Sequence, residues 1–205
     1  MRIFLLGCIL LLISPSLFAQ TTKDLNDQGL ALLKQGKIKE AVTDFNQAIK
    51  VDHTNATSYT NRALVFAQQG NLTDAIADTT QAIEIDPKDP VAYYLRGTIY
   101  YEQGVLGQAI DDFSQDIAID RKVAKGYMSR ALTYLRMNKP HEAIDDLNMV
   151  LKLNPKLTRA YYNRAVGYYQ LKQYDKAWAD VHTAQNLGVT VYPDFIEALK
   201  SVTGK

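Results

Sequence analysis

Residues 56–89 read ATSYTNRALVFAQQGNLTDAIADTTQAIEIDPKD, and this stretch decides the fold. Tyr59, Arg62, Ala63 and Phe66 follow one another at spacings of three, one and three. That places them along one side of a helix running from about Ala56 to Gln69. Gly70 ends this helix with Asn71 beside it, and both residue types tolerate the left-handed backbone of a helix exit. Leu72, Ala75, Ile76, Thr79, Ala82 and Ile83 then form the inward stripe of a second helix, from about Leu72 to Ile85. Asp86-Pro87 stops it, because proline cannot continue the hydrogen-bond ladder and disfavours the α conformation in the residue before it. The unit is a helical hairpin.

Outward from this stretch, the unit recurs every 34 residues without an insertion. Ala41, Ala75, Ala109, Ala143 and Ala177 keep that spacing, and so do Gly29, Ala63, Gly97, Ala131 and Ala165. One hairpin cannot bury its apolar stripe, but five in series bury theirs against one another. The recurrent small residues let helix axes approach, while Tyr, Phe and Leu fill the gaps. The predicted units are 22–55, 56–89, 90–123, 124–157 and 158–191. Gly188 closes the last, and Pro193 opens a further helix through about Lys200, with Phe195, Ile196 and Leu199 as its apolar residues. Residues 192–205 are thus expected to form a capping helix and tail over the end of the stack.

The pattern resembles the tetratricopeptide repeat family over about 170 of the 205 residues. That family has a large residue at position 4 of its unit, Gly or Ala at 8, an aromatic at 11, Ala at 20, a large residue at 24, Ala at 27 and Pro at 32. Here position 4 holds Leu25, Tyr59, Tyr93, Tyr127 and Tyr161. Position 24 holds Phe45, Thr79, Phe113, Leu147 and Val181. Pro87 and Pro155 stand at position 32, where His53 and Arg121 replace proline in other units, and Asp116 takes the place of Ala at position 27. The resemblance implies an all-α fold, a right-handed α-solenoid, and a role in holding another protein or peptide. Self-association is the alternative role.

Two further columns depart from the usual pattern. Position 7, commonly aliphatic in the family, is Gln28, Arg62, Arg96, Arg130 and Arg164. Position 23 is Asp44, Asp78, Asp112, Asp146 and Asp180. Arg and Asp at fixed places in a strict repeat suggest a recurring ion pair between packed helices, the Arg stem lying along apolar surface. The competing reading leaves the Arg ladder free to grip acidic groups of a ligand. Asp116, in a helix–helix contact, needs a partner among Arg121, Lys122 and Lys125, or else the seam there is loose and open to solvent.

In the family the concave face is lined by positions 2, 5, 9, 12 and 13 of the first helices. Carried onto this chain, the later units present Tyr94, Thr98, Tyr101, Lys125, Met128, Arg136, Arg159, Tyr162 and Tyr169, the expected peptide-binding residues. Tyr and Arg are frequent anchors of interfaces. The Lys/Asn clamp that some members use for a terminal carboxylate is not matched. Asn61 and Asn163 stand at position 6, without a Lys–Asn pair at positions 5 and 9.

The first residues, MRIFLLGCILLLISPSLFAQ, have the layout of a secretory signal peptide. Arg2 forms a basic start, Ile3 to Ile13 an uncharged and mostly apolar run, and Ala19 a small residue before Gln20. The expectation is a leader over 1–19 and an exported chain, periplasmic or secreted, with an uncleaved membrane anchor as the alternative. Cys8, the only cysteine, lies in this leader, so the chain after it forms no disulfide. From Gln20 onward, 22 basic and 22 acidic side chains balance, which argues against a general nucleic-acid binder. The charges are segregated: residues 20–120 carry −7 and residues 121–205 carry +7. Opposite charge at the two ends steers a polar partner or favours head-to-tail stacking. An enzyme is not expected. His53, His141 and His182 have no second His at metal-ligand spacing, and neither HExxH, GxSxG nor a phosphate loop occurs. No cofactor or metal is expected.

Overall fold

The computed structural model describes residues 20–204, so the leader expected over 1–19 lies outside the described residues. Five antiparallel helix pairs follow in order: α1 (Thr22–Lys34) with α2 (Ile38–Val51), α3 (Ala56–Gln68) with α4 (Leu72–Ile85), α5 (Pro90–Glu102) with α6 (Leu106–Ile119), α7 (Ala124–Arg136) with α8 (Pro140–Leu153), and α9 (Arg159–Gln170) with α10 (Tyr174–Asn186). Helix α11 (Pro193–Thr203) closes the far end of this all-α solenoid. Every pair packs on the next, and buried Ala, Phe, Leu, Val and Ile residues fill the seams between hairpins, gathered in clusters along the stack.

The turn inside each hairpin uses one device five times. The residue at position 15 is left-handed in all five: Gly36, Gly70 and Gly104, then Asn138 (φ 55°) and Lys172 (φ 59°). The next N–H reaches back to the carbonyl at position 11, as in Lys37 to Leu32 and Gln173 to Tyr168. This satisfies carbonyls that the helix end would otherwise leave open. The turn between hairpins uses a second device. Asp52, Asp86, Asp120 and Asn154 end the second helices in extended backbone, and each side chain accepts from the N–H two residues on. These Asx turns explain why His53 and Arg121 can stand where proline was expected: the side chain at position 31 makes the turn.

Volume is traded between positions 8 and 24. Gly29 and Gly97 lie against the rings of Phe45 and Phe113, and a Cβ on Gly97 would come within 2.9 Å of the Phe113 ring. Where position 8 is Ala63, Ala131 or Ala165, position 24 is the smaller Thr79, Leu147 or Val181. The two ends of the stack differ from its middle. Positions 3 and 10 are buried as Ser58, Ala92, Gly126 and Ala160, and as Val65, Ile99, Thr133 and Gly167. In α1 the same places hold exposed Asp24 and Ala31, with exposed Gln28 between them, so that face leaves no large apolar surface open.

The seam between α6 and α7 is closed, and Asp116 is 2% exposed within it. None of Arg121, Lys122 and Lys125 forms an ion pair with it, and it accepts no hydrogen bond among the described residues. Its extra volume is taken up by Gly126 opposite, where a Cβ would collide with the Asp116 carboxylate. Burial holds the carboxyl above its ordinary range, Asp120 adds to this, and the charge of Lys125 opposes it. Asp116→Ala is therefore expected to stabilise the protein at pH 7 by about 1–3 kcal/mol. Because the folded value is raised, the cost of the charge is present at neutral pH and fades as pH falls through that value. The gain should shrink accordingly towards about pH 4. Gly126→Ala should destabilise the natural chain but stabilise Asp116→Ala, where the new Cβ meets only the Ile117 side chain at 3.0 Å, a contact that a small shift of that side chain relieves, and the helix gains about 1 kcal/mol of propensity. Denaturation curves of the four proteins at both pH values check this; an unchanged sign of Gly126→Ala in the two backgrounds would contradict it.

Candidate functional site

Four Arg–Asp pairs run through the solenoid with one geometry. Nε and Nη2 of Arg62, Arg96, Arg130 and Arg164 donate to both carboxylate oxygens of Asp78, Asp112, Asp146 and Asp180 at 2.7–2.8 Å. The free Nη1 crosses to the preceding hairpin and donates to Asn46, Thr80, Ser114 and Asn148 at position 25. Each guanidinium also lies 5.6–5.9 Å from one or both aromatic rings at positions 4 and 11, such as Tyr127 and Tyr134 around Arg130. The bidentate fork and the ring contacts need the planar, always-charged guanidinium. Burial pushes the Asp146 carboxyl up and the Arg130 hydrogen bonds pull it back down. With all three nitrogens of each guanidinium bonded to the scaffold, these four Arg residues hold the hairpins together.

Asp44 corrects the expected column. Position 7 of its unit is Gln28, which bonds to Gln20, and Asp44 forms no ion pair among the described residues. One of its oxygens is buried without a hydrogen bond, and burial raises its carboxyl. Arg62, the nearest column member, is turned towards its own Asp78.

The concave residues divide in a way the sequence pattern did not show. The Tyr94 hydroxyl is 3.3 Å from Ser129 Oγ, its ring lies 5.8 Å from Phe113, and Lys125 Nζ stands 4.3 Å from that ring. Arg136 donates to the Tyr101 carbonyl at 2.9 Å with its guanidinium 5.3 Å from the Tyr101 ring. Thr98 bonds to the Tyr94 carbonyl, and the Met128 sulfur accepts from Asn163. Phe195 of α11 inserts between Tyr162 (5.6 Å) and Tyr169 (5.5 Å), both ring pairs edge-on. Positions 5 and 12 of one hairpin are thus spent largely on holding the next. Arg159 is different: it is exposed, and no hydrogen bond or ion pair engages it among the described residues.

Arg159 stands on a groove of about 690 Å³ between α7, α9 and the α10–α11 connection. Leu132 and Tyr162 give it apolar floor, Asn163 and Thr158 polar edges, and Gly188 to Thr190 with Tyr192 the opposite wall. The connection bends here because Gly188 is left-handed (φ 82°) and no Asx turn follows α10. Tyr192 is 67% exposed and packs on Tyr162 at 5.8 Å. Burial and Tyr192 raise the Tyr162 phenol, so it remains a neutral hydrogen-bonding group. The wall residues Gly188 to Tyr192 straddle the end of the fifth unit, and only the departure of Gly188 and Val189 from the Asp-Pro linker of other units signalled them. Among the described residues, no group of three or more His, Cys, Asp or Glu could hold a metal ion. No helix among them is long and apolar enough to cross a membrane.

Known proteins agree with this architecture. The pattern for the TPR repeat matches residues 29–70 and 63–104, and that for the tetratricopeptide repeat matches residues 124–157. No curated protein matches the sequence. Among solved structures, PilF of Pseudomonas aeruginosa is 19% identical with a TM-score of 0.77, covering 89% of this chain and 84% of that one. MamA is 21% identical with a TM-score of 0.74, covering 84% of this chain and 98% of its own. YrrB, a TPR protein with an unusual peptide-binding site, is 17% identical with a TM-score of 0.72, covering 87% and 90%. At these identities the likeness is one of fold.

Proposed function

Since the chain belongs to the tetratricopeptide-repeat family, we propose that it is a non-enzymatic scaffold that holds a protein or peptide segment in the groove beside Arg159. The observation that carries this reading is the combination of a large open groove with a cation that nothing in the fold uses. Elsewhere on the concave side, Tyr94, Tyr101, Met128 and Tyr169 are engaged between hairpins, which concentrates the binding surface near α9. The leader-like residues 1–19 support an exported location, periplasmic or secreted. An apolar end-to-end contact has little to work with, since α1 turns Asp24 and Gln28 outward, so stacking of subunits would rest on the opposite charge of the two ends alone. A photo-crosslinking residue at Thr190 is expected to capture a discrete partner from the exported fraction, and Arg159→Ala to abolish that capture. The same crosslinker at exposed Ala77 on α4 serves as control. Equal capture from both positions, or capture indifferent to Arg159, would refute the groove.

A further inference from the structure

We propose that this groove selects an extended acidic segment, an inference that rests on the groove reading above. The first support is the charge of the groove itself. Arg159 is its one formally charged lining residue, and no carboxylate lines it. Arg130 and Arg164, the column arginines of the two hairpins beside the groove, are neutralised by Asp146 and Asp180 inside the scaffold, whereas Arg159 is not. Residues 121–205 nevertheless carry a net charge of +7. The groove therefore opens in a positive field, which attracts an anionic partner and repels a cationic one.

The second support is geometric. Lys125 occupies the place of Arg159 one hairpin earlier, on α7, the helix that also supplies Leu132. It is exposed, forms no ion pair among the described residues, and has its Nζ 4.3 Å from the Tyr94 ring. Neighbouring helices lie about 8–10 Å apart. An extended chain advances about 3.3 Å per residue. Side chains two and four residues apart share a face, about 7 and 13 Å along the chain, a range that brackets this spacing, so carboxylates so placed reach both cations and an apolar side chain between them on that face meets Leu132 and Tyr162. The hydroxyls of Thr158 and Thr190 and the Asn163 amide accept or donate to backbone, so they recognise an extended segment without demanding a sequence.

A library of random 12-residue peptides panned against the purified protein tests this. The natural chain is compared with Arg159→Glu, which reverses the groove charge, and with Thr190→Trp, which fills the groove from an exposed position. Arg159→Ala replaces Arg159→Glu if the latter does not fold by circular dichroism. Enriched peptides are expected to be acidic and to lose about tenfold or more in affinity with either variant, by fluorescence anisotropy. Their Asn/Gln counterparts should bind about tenfold more weakly, and binding should weaken with added salt. Peptides without acidic excess that are lost with Thr190→Trp would overturn acidic selection while leaving the groove in place. Peptides indifferent to Thr190→Trp, or no enrichment, would overturn both.

Discussion

Arg130→Ala is expected to destabilise the protein by about 3–5 kcal/mol, the cost of stranding a buried carboxylate. Arg130 makes two bonds to Asp146, one to Ser114 of the preceding hairpin, and contacts with the Tyr127 and Tyr134 rings. The pair as such is weak evidence of stability, because both charges had to leave water; its removal in one piece is the informative control. Arg130→Met with Asp146→Leu should recover most of the loss, since no lone charge remains. The pH dependence has a definite sign. Without Arg130 the Asp146 carboxyl, already pushed up by burial, rises further above its unfolded value. The cost is then full at neutral pH and relieved as pH falls through the raised folded value, so the gap to the natural chain narrows in acid. A middle hairpin is the right place to test, because a terminal one can fray by itself. Urea denaturation at two pH values gives the numbers. A loss below about 1 kcal/mol would show the latch to be ornamental.

Phe113→Ala is expected to cost about 3–5 kcal/mol, from lost burial plus the cavity left behind. Phe113 is 1% exposed and fills the space that Gly97 leaves open. Gly97→Ala should also destabilise, by about 1–3 kcal/mol, because its new Cβ meets a ring held on all sides. In a Phe113→Leu background Gly97→Ala should be much less harmful, reproducing the Ala131 with Leu147 combination found one repeat later. Thermal unfolding of the single and double variants measures the coupling. Additive effects would mean that positions 8 and 24 do not pack against each other.

These two results concern features that were legible from residue columns. The Arg and Asp columns recur sixteen residues apart within each unit, and the Gly–Phe exchange recurs at the same separation. A solenoid applies one local geometry repeatedly, so any pair that matters in one hairpin shows itself as a column. Asp44 broke its column for a visible reason, Gln28 in place of Arg. The Asx turns are also written in the sequence, as Asp or Asn at position 31, beside the proline that follows in two of the units. The closed seam around Asp116 was announced only by Gly126, ten residues on, and a glycine in a helix has many explanations.

The sequence by itself determined the period and the helix pairs, because each follows from local periodicity, and it narrowed the Arg column to two readings between which the contacts decide. Tertiary structure alone decided which concave residues are free. Tyr94, Tyr101, Tyr162 and Tyr169 share positions that a repeat pattern cannot tell apart, yet α7 or α11 covers them and leaves Arg159 open. That choice depends on the bend at Gly188 and on Phe195 lodging between two rings of α9, a contact made once between residues far apart in the chain. A contact made once has no column to announce it.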